Sequence, residues 1–182
     1  MKRAMIVPPV LADAALAELK DWLAITTTRD DEPLTALLRA ALDTCEAFTG
    51  LMPLEAGCEE VLRSTYDWQG IAASPVIAIT GVERLTANGT RSALPVDGYL
   101  IDITAEGCGR VRLTRAIAES RIVVRFDAGL SPDWTSLPEG LRHGIIRLAA
   151  HQYRDRDSGE ANHAPPRAVA ALWQPWRRMR LA

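Results

Sequence analysis

The sequence has few cysteines, and their spacing fits neither a disulfide framework nor a metal site. Cys45, Cys58 and Cys108 are separated by 13 and 50 residues, and no Cys-x-x-Cys pair occurs. An odd number of cysteines without a paired spacing argues against disulfides and against a zinc knuckle. We therefore expect the three thiols to be small buried or half-buried side chains, with no metal bound to them.

Long apolar runs and a strong net charge are also absent. The apolar stretch at residues 75–80 is among the longest, whereas a membrane-spanning helix needs about 20 apolar positions. Pro8, Pro9 and Asp13 interrupt the apolar start of the chain before it reaches the length of a signal peptide. A formal charge of −2 excludes a protein that coats nucleic acid through its charge. The composition thus predicts a cytosolic protein with no contact to a membrane.

The chain has the size of one domain, and its charge is unevenly distributed. Its 182 residues, 48% of them hydrophobic, suffice for one sizeable core. Residues 1–66 carry 11 acidic and 6 basic side chains, whereas residues 137–182 carry 4 and 8. The start of the chain is therefore acidic and its end is basic.

Helical periodicity dominates the first 58 residues. A first helix is predicted to begin with Asp13 as its N-cap and to end before three consecutive threonines at 26–28. The acids and proline at 30–33 favour the start of a second helix, which runs over residues 33–49. Gly50 then stands where a left-handed cap would fall. Two helices joined by a short polar loop indicate an antiparallel helical hairpin within residues 1–58.

From residue 59 the apolar period changes from 3.6 to 2, which is typical of strands. Asn88-Gly89 lies between two of these strands and favours a tight hairpin turn. We therefore expect a β-rich region over residues 59–127 that contains a β-hairpin. The predicted strands are residues 59–68, 76–85, 98–103, 109–114 and 121–127.

The chain returns to helical periodicity at its end. A core helix is predicted over residues 137–156 and a short final helix over 166–178, within a C-terminal segment of residues 165–182. The polar stretch 155–166 between them, with one glycine and two prolines, indicates a flexible loop. The sequence thus predicts a single α+β domain, an antiparallel core of about four helices with an inserted β-rich region.

Motifs for catalysis are missing. No phosphate-binding loop and no Gly-x-Ser-x-Gly elbow occurs, and residues 107–109 lack the third glycine of a dinucleotide fingerprint. His143 and His151 have no metal-ligand spacing. The acid pairs 30–31 and 59–60 are explained by a helix start and by solvated strand charge. We expect no catalytic residue, no cofactor and no metal, and hence a protein that is not an enzyme.

The C-terminal segment has the one distinctive composition of the chain. From Arg167 to residue 180 it contains four arginines and no acid, together with Trp173 and Trp176. Tryptophan and arginine are the residues that most often carry the free energy of protein interfaces. Three interpretations remain open at this point: the tryptophans pack on the chain's own core, they dock on another protein, or the arginines contact nucleic acid.

A series of stretches in fixed order extends over nearly the whole chain, although none is diagnostic alone. They are residues 16–23, 31–38, 45–50, 74–82, 99–102, 122–129, 137–142, 149–154 and 170–177. In order and spacing they resemble the head–tail connector, or adaptor, proteins of long-tailed bacteriophages and of phage-derived gene transfer agents. The polar residues 26–28 and the pair Phe126-Asp127 depart from the family pattern.

This resemblance implies a structural subunit without catalytic activity. Such subunits form a homo-oligomeric ring, expected to be a dodecamer, that binds beneath the portal protein and continues the DNA channel toward the tail. The helical part would form the ring through head-to-tail contacts, and the β-rich part would face a tail terminator or stopper protein. The protein would assemble in the bacterial cytoplasm and then reside in the neck of a virion or gene transfer agent particle.

The same resemblance implies that the C-terminal segment binds the portal, and we hypothesise that it becomes ordered only on assembly. DNA would pass without sequence-specific binding, which the charge of −2 suits. The portal-binding residues would be Leu172, Trp173, Trp176, Arg177, Arg178 and Arg180.

Two alternatives come from other functional classes. One is a small enzyme whose site is assembled by the fold, for which converging titratable groups in a pocket would be the sign. The other is a DNA-binding regulator. Its recognition helix should be basic, but residues 33–49 carry Arg39 alone against Asp43 and Glu46.

Overall fold

The computed structural model describes residues 3–155 and 164–178, in which four α-helices and eight β-strands are present. This composition confirms the α+β class. The helices are α1 (Asp13–Leu23), α2 (Asp31–Thr49), α3 (Glu139–Asp155) and α4 (Arg167–Trp173). The strands are β1 (Arg3–Val7), β2 (Ala56–Arg63), β3 (Gln69–Gly70), β4 (Val76–Leu85), β5 (Arg91–Ala93), β6 (Tyr99–Ile103), β7 (Gly109–Leu113) and β8 (Arg121–Ala128).

The chain divides into two compact units. One unit consists of Met1–Pro9 and Glu55–Leu130. We call it the strand unit because it contains the eight strands above. Val10–Leu54 and Ser131–Ala182 form the other, the helical unit, with all four helices. The beginning of the chain, which we assigned to the helical hairpin of residues 1–58, therefore includes a strand, β1.

The strand unit contains a five-stranded sheet in the order β1-β2-β8-β4-β5 and a three-stranded sheet in the order β3-β7-β6. All strand pairs are antiparallel. Strand β8 lies at the centre of the larger sheet, between β2 and β4, and Ile122, Val124 and Phe126 on it are buried. The branched and aromatic side chains that predicted this strand therefore form the centre of the unit's core.

Strand β2 ends earlier than its alternating pattern suggests. We expected a strand over residues 59–68, but β2 covers Ala56–Arg63 and the following residues turn. Thr65 Oγ1 accepts a hydrogen bond from the backbone N–H of Asp67 at 3.2 Å. Such local bonds of threonine to nearby backbone compete with the ladder of a sheet. The sequence alternation continues past this point, but the strand does not.

The hairpin at residues 86–90 is present, with a longer turn than expected. The N–H of Thr86 donates to the carbonyl of Thr90 at 3.0 Å, which closes the loop between β4 and β5. Gly89 has a φ of +87°, as the turn requires, whereas Asn88 is not among the residues with positive φ. The side chain of Asn88 instead accepts a hydrogen bond from the N–H of Thr90 at 3.2 Å.

Helices α1 and α2 follow the predicted periodicity. On α2 the apolar stripe is buried, and Gly50 closes the helix with a φ of +76° and an N–H donated to Glu46 at 2.8 Å. Ala12, not Asp13, is the N-cap of α1, and no side chain caps the helix. Asp13 is the first helical residue, where its charge still favours the helix start.

Helix α3 lies at the centre of the helical unit and contacts α1, α2 and α4. Its buried side includes Leu141, Ile145 and Leu148. Near its end, the hydroxyl of Tyr153 donates to Asp30 Oδ2 at 3.0 Å, which ties α3 to the start of α2.

The final helix is shorter than predicted. Helix α4 ends at Trp173, and a single 3₁₀ turn, Gln174–Trp176, follows. Pro175 has no N–H to continue the helical bonds, which explains the change. Most of the predicted loop between the last two helices, residues 156–163, lies outside the described residues.

Candidate assembly surfaces

The groups that the sequence offered for catalysis have structural roles. Asp31 pairs with Lys20 at 2.6 Å, and the ring of His143 packs edge-on against Trp22 with centroids 5.1 Å apart. Glu59 forms an ion pair with Arg91. Within residues 3–155 and 164–178, no three His, Cys, Asp or Glu side chains are grouped so that they could hold a metal, and no helix is long and apolar enough to cross a membrane.

Glu60 is buried in β2, and the structure gives it one partner. Its Oε2 accepts a hydrogen bond from the backbone N–H of Ala72 at 2.9 Å, whereas Oε1 is buried without a partner. This carboxylate holds the residues before β4 against the sheet.

The thiols differ in exposure. Cys45 and Cys58 are buried, as expected, whereas Cys108 is exposed, so the expectation is wrong for Cys108. Burial raises the pKa of Cys45 to about 12, while a hydrogen bond with Thr49 lowers it and the charge of Glu46 raises it further. A thiol with such a pKa is almost fully protonated at neutral pH and is a poor nucleophile or metal ligand.

In the C-terminal segment, Trp173 points inward. Its side chain is buried, and its indole Nε1 donates to the carbonyl of Leu141 at 3.3 Å. Its ring lies 5.9 Å from that of Phe48 on α2, measured between centroids. Trp173 thus joins α4 to both α2 and α3, which corresponds to the open interpretation that this tryptophan packs on the chain's own core.

The rest of the segment is more accessible. Leu172 and Trp176 are half-buried, and Arg177 is exposed, with its guanidinium carbon 5.5 Å from the centre of the Phe48 ring. The backbone N–H of Arg178 donates to Thr49 at 2.9 Å. Arg180 lies outside the described residues. These four accessible residues, 172 and 176–178, form what we call the C-terminal surface.

In the structure, residues 167–176 are folded against the helical unit, while the hypothesis that the segment orders only on assembly stays a prediction. Helix α4 and the turn after it are regular, and Val169 and Trp173 are buried against the helical unit. Burial of a side chain of this size contributes about 1.5–3 kcal/mol to the docking of α4. Ordering the segment costs about 1–2 kcal/mol per residue, so its order does not rest on Trp173 alone.

The edge of the larger sheet presents apolar side chains to solvent. Strand β1 is the outermost strand, and Met5, Ile6 and Val7 on it are between 41% and 61% exposed. Because a sheet edge has backbone groups free to pair, natural proteins protect such edges with charges or prolines. Here Arg3 at the start of the strand and Pro8 after its end provide such protection, while the apolar residues between them stay exposed. Sequence reasoning missed this strand because its apolar run is short.

The smaller sheet carries a cluster of one tryptophan and two arginines. The guanidinium carbons of Arg110 and Arg112 each lie 5.1 Å from the ring centre of Trp68, so the ring contacts two cations. Arg110 also pairs with Asp102 at 2.6 Å. We call Trp68, Arg110 and Arg112 the Trp68 cluster. The alternation of the arginines on β7 was visible in the sequence, but their meeting with Trp68 was not.

Ion pairs cross the face of the larger sheet. Arg91 donates two hydrogen bonds to the carboxylate of Glu59, at 2.6 and 2.8 Å, and Arg125 pairs with Glu83 at 3.1 Å. The hydrogen bonds from Arg91 lower the pKa of Glu59, while partial burial opposes this and the charges of Arg91 and Arg125 add to it. These pairs link β2, β8, β4 and β5 on one side of the sheet.

Comparisons with known proteins give matches among solved structures. No protein-family model matches the chain, and no curated protein matches it. A chain from the neck of an empty gene transfer agent (GTA) particle computed with C6 symmetry is 26% identical, with a TM-score of 0.80 over 100% of this chain and 98% of that chain.

Two further structures match at the same identity and coverage. They are the neck of a native GTA particle computed with C12 symmetry, with a TM-score of 0.74, and the virion of a native gene transfer agent particle, with a TM-score of 0.73. These matches confirm the resemblance to head–tail connector proteins that the order of sequence motifs indicates.

Proposed function

We propose that this chain is a structural subunit of a particle neck, the adaptor that joins the portal of a capsid to its tail. The observation that carries this proposal is the similarity of the whole chain to neck chains of gene transfer agent particles. The absence of catalytic motifs in the sequence agrees with a structural role. The protein would act through its surfaces and would catalyse no reaction.

The subunits would assemble as a ring, of twelve copies, around a channel that carries DNA. Two of the similar chains come from necks with C6 and C12 symmetry. A ring of this kind closes when each copy offers two different, complementary surfaces to its neighbours. The formal charge of −2 per subunit would let DNA pass without being held.

The C-terminal surface would bind the portal protein. Leu172, Trp176, Arg177 and Arg178 offer the half-exposed apolar and cationic groups that interfaces use, and Arg180 continues the basic segment. Trp173 would contribute indirectly, because its burial fixes the position of α4. Assembly would take place in the cytoplasm, before the particle is complete.

The strand unit would face the tail, where a terminator or stopper protein would bind it. The apolar edge β1 and the Trp68 cluster are both on this unit, and both have the composition of interface centres. The two ends of the neck would thus be served by two different units of the chain.

The portal contact can be tested with Arg177→Glu/Arg178→Glu, a variant that keeps Trp173 and therefore the docking of α4. We expect the variant to remain folded and to lose attachment to capsids that carry their portal, measured by co-sedimentation. Arg29→Glu/Arg39→Glu, which reverses two exposed arginines elsewhere in the helical unit, is the matched control. Equal attachment of the two variants would contradict the portal assignment. Attachment of a chain that lacks residues 165–182 at the level of the wild type would contradict it as well.

A further inference from the structure

The helical unit contains a pocket of about 220 Å³ that the portal assignment does not use. One wall comes from α3, where Arg147, His151 and Arg154 line it. These residues follow each other at intervals of four and three, so they share one face of the helix. The pocket therefore has two arginines on one wall, about two helical turns apart, with His151 between them.

The rest of the lining, which we call the apolar wall, comes from other helices. It consists of Trp22, at the end of α1, and of Pro166, Ala168 and Val169, at the start of α4. Val169 is buried, whereas Trp22 is 44% exposed, an unusual exposure for a tryptophan whose ring already packs against His143. An occupant would cover the exposed part of this ring.

The two arginines of the pocket are not neutralised. Within residues 3–155 and 164–178, neither a carboxylate nor another acceptor pairs with the guanidinium groups of Arg147 and Arg154. His151 differs, because its Nδ1 lies 3.2 Å from Asp155 Oδ2. Two guanidinium groups along one helix face that have no acidic partner among the described residues are a candidate site for carboxylate groups, to which arginine donates paired hydrogen bonds.

We propose that this pocket binds an acidic segment of a partner protein, with one apolar side chain between two carboxylates. The carboxylates would pair with Arg147 and Arg154, and the apolar side chain would lie on Trp22. Seven residues of helix separate the two arginines by about 10 Å. On a peptide in the polyproline II conformation, carboxylates three residues apart point to the same side and are separated by about 9 Å. This site is additional to the proposed portal and tail surfaces and stands without them.

The shape and charge of the molecule favour a peptide over nucleic acid or a metabolite. The pocket is smaller than the roughly 300 Å³ at which typical small-molecule sites begin, so it suits side chains of a peptide better than a metabolite. Two arginines supply only about two phosphate contacts, too few to hold a duplex on a chain of charge −2. The apolar wall has no role against a phosphate backbone, whereas it matches the side chain between two acids.

The test uses the full-length protein and two blocked synthetic peptides, Glu-Leu-Ala-Glu and its uncharged analogue Gln-Leu-Ala-Gln. Binding is followed by NMR at the indole N–H of Trp22, which Trp22→Phe assigns. We expect saturable binding of the acidic peptide and an affinity at least about tenfold lower for the analogue, since both charge-assisted pairs are lost. The variant Arg147→Gln/Arg154→Gln should bind the acidic peptide with an affinity lower by the same factor. The variant Arg29→Gln/Arg39→Gln should bind it with the affinity of the wild type.

Three outcomes would overturn the proposal. Equal affinity for the two peptides would mean that the arginines do not select carboxylates. If Arg29→Gln/Arg39→Gln lowered the affinity for the acidic peptide as much as the pocket variant does, the peptide would be attracted by the overall charge and not by this pocket. Tighter, arginine-dependent binding of a 20-base-pair DNA duplex or of inorganic phosphate would assign the pocket to phosphate. None of these results would bear on the neck function, which the portal experiment tests separately.

Discussion

The indole of Trp173 lies against the backbone of Gly144, so that a Cβ at residue 144 would stand 2.8 Å from its Cε2 atom. This close approach lets α4 dock on α3 and places the C-terminal surface at a defined position. Glycine is the residue that allows it, because every other side chain begins with a Cβ.

Gly144→Ala should therefore loosen α4. Overpacking at a buried site costs about 1–3 kcal/mol, so urea unfolding should show a lower free energy of unfolding and proteolysis should reach α4 faster. Gly140→Ala on the same helix is the control, since its Cβ would meet atoms no closer than 3.5 Å. If both variants have the same free energy of unfolding, the packing of the Trp173 indole does not depend on the missing side chain at Gly144.

The ion pair between Glu59 and Arg91 should contribute stability that depends on pH. The pKa of Glu59 is lowered from its ordinary value of 4.5 by the hydrogen bonds from Arg91. A lowered folded-state pKa gives stability that is present above the unfolded-state pKa and is lost as the pH falls through the folded-state value. Arg91 is exposed, so the effect at pH 7 should be below about 1 kcal/mol.

Glu59→Gln should accordingly lower the free energy of unfolding at pH 7 and leave it unchanged at a pH below the folded-state pKa. Denaturant titrations at a series of pH values measure this difference. Glu55→Gln, at an exposed carboxylate next to the same strand, should show no such dependence. If the free energies of unfolding of Glu59→Gln and of the wild type differed by the same amount at all pH values, the ion-pair explanation would be contradicted.

The thiols should react at very different rates. Cys108 is exposed, whereas Cys45 is buried with a pKa of about 12 and Cys58 is buried as well. A thiol reagent at pH 8 should modify one group per native chain quickly and all three only after unfolding. Cys108→Ser should remove the fast reaction. Fast modification of Cys45 in that variant would show that the helical unit opens readily.

The Trp68 cluster should be needed on the tail side of the neck. Trp68→Ala removes a partly exposed ring that contacts Arg110 and Arg112, so it should cost the folded chain little, about 1 kcal/mol. Attachment to portal-bearing capsids should persist, while electron micrographs should show capsids without tails. Val96→Ala, at an exposed apolar residue of the same unit, should leave tails in place. If particles of both variants carried normal tails, the Trp68 cluster would not be part of the tail interface.

Elements with strong local periodicity were predictable from the sequence. Helix α2 and strand β4 were found nearly to the residue, because their apolar patterns and end signals, such as Gly50, are local. Strand β1 was not, because it is defined by its pairing with β2, where Arg3 stands opposite Glu60. Contacts between residues so far apart in the chain leave no periodic signal.

In the candidate surfaces, too, the sequence predicts the local features but not the contacts between distant residues. The C-terminal segment was recognisable from its tryptophans and arginines, but which tryptophan points inward depends on the space above Gly144. The meeting of Trp68 with Arg110 and Arg112 depends on the register between β3 and β7. The pocket beside Arg147 joins α1 to the distant helices α3 and α4, so composition alone could not reveal it.

The path of the chain has a consequence for how such proteins evolve. The strand unit is encoded in two pieces, because the chain leaves it after Pro9 and returns at Glu55. One recombination event between two genes cannot transfer this unit whole, since β1 would stay behind with the helices of the other parent. Exchange of residues 55–130 alone would pair a new β2 with the old β1, and the two strands would have to be matched again by mutation.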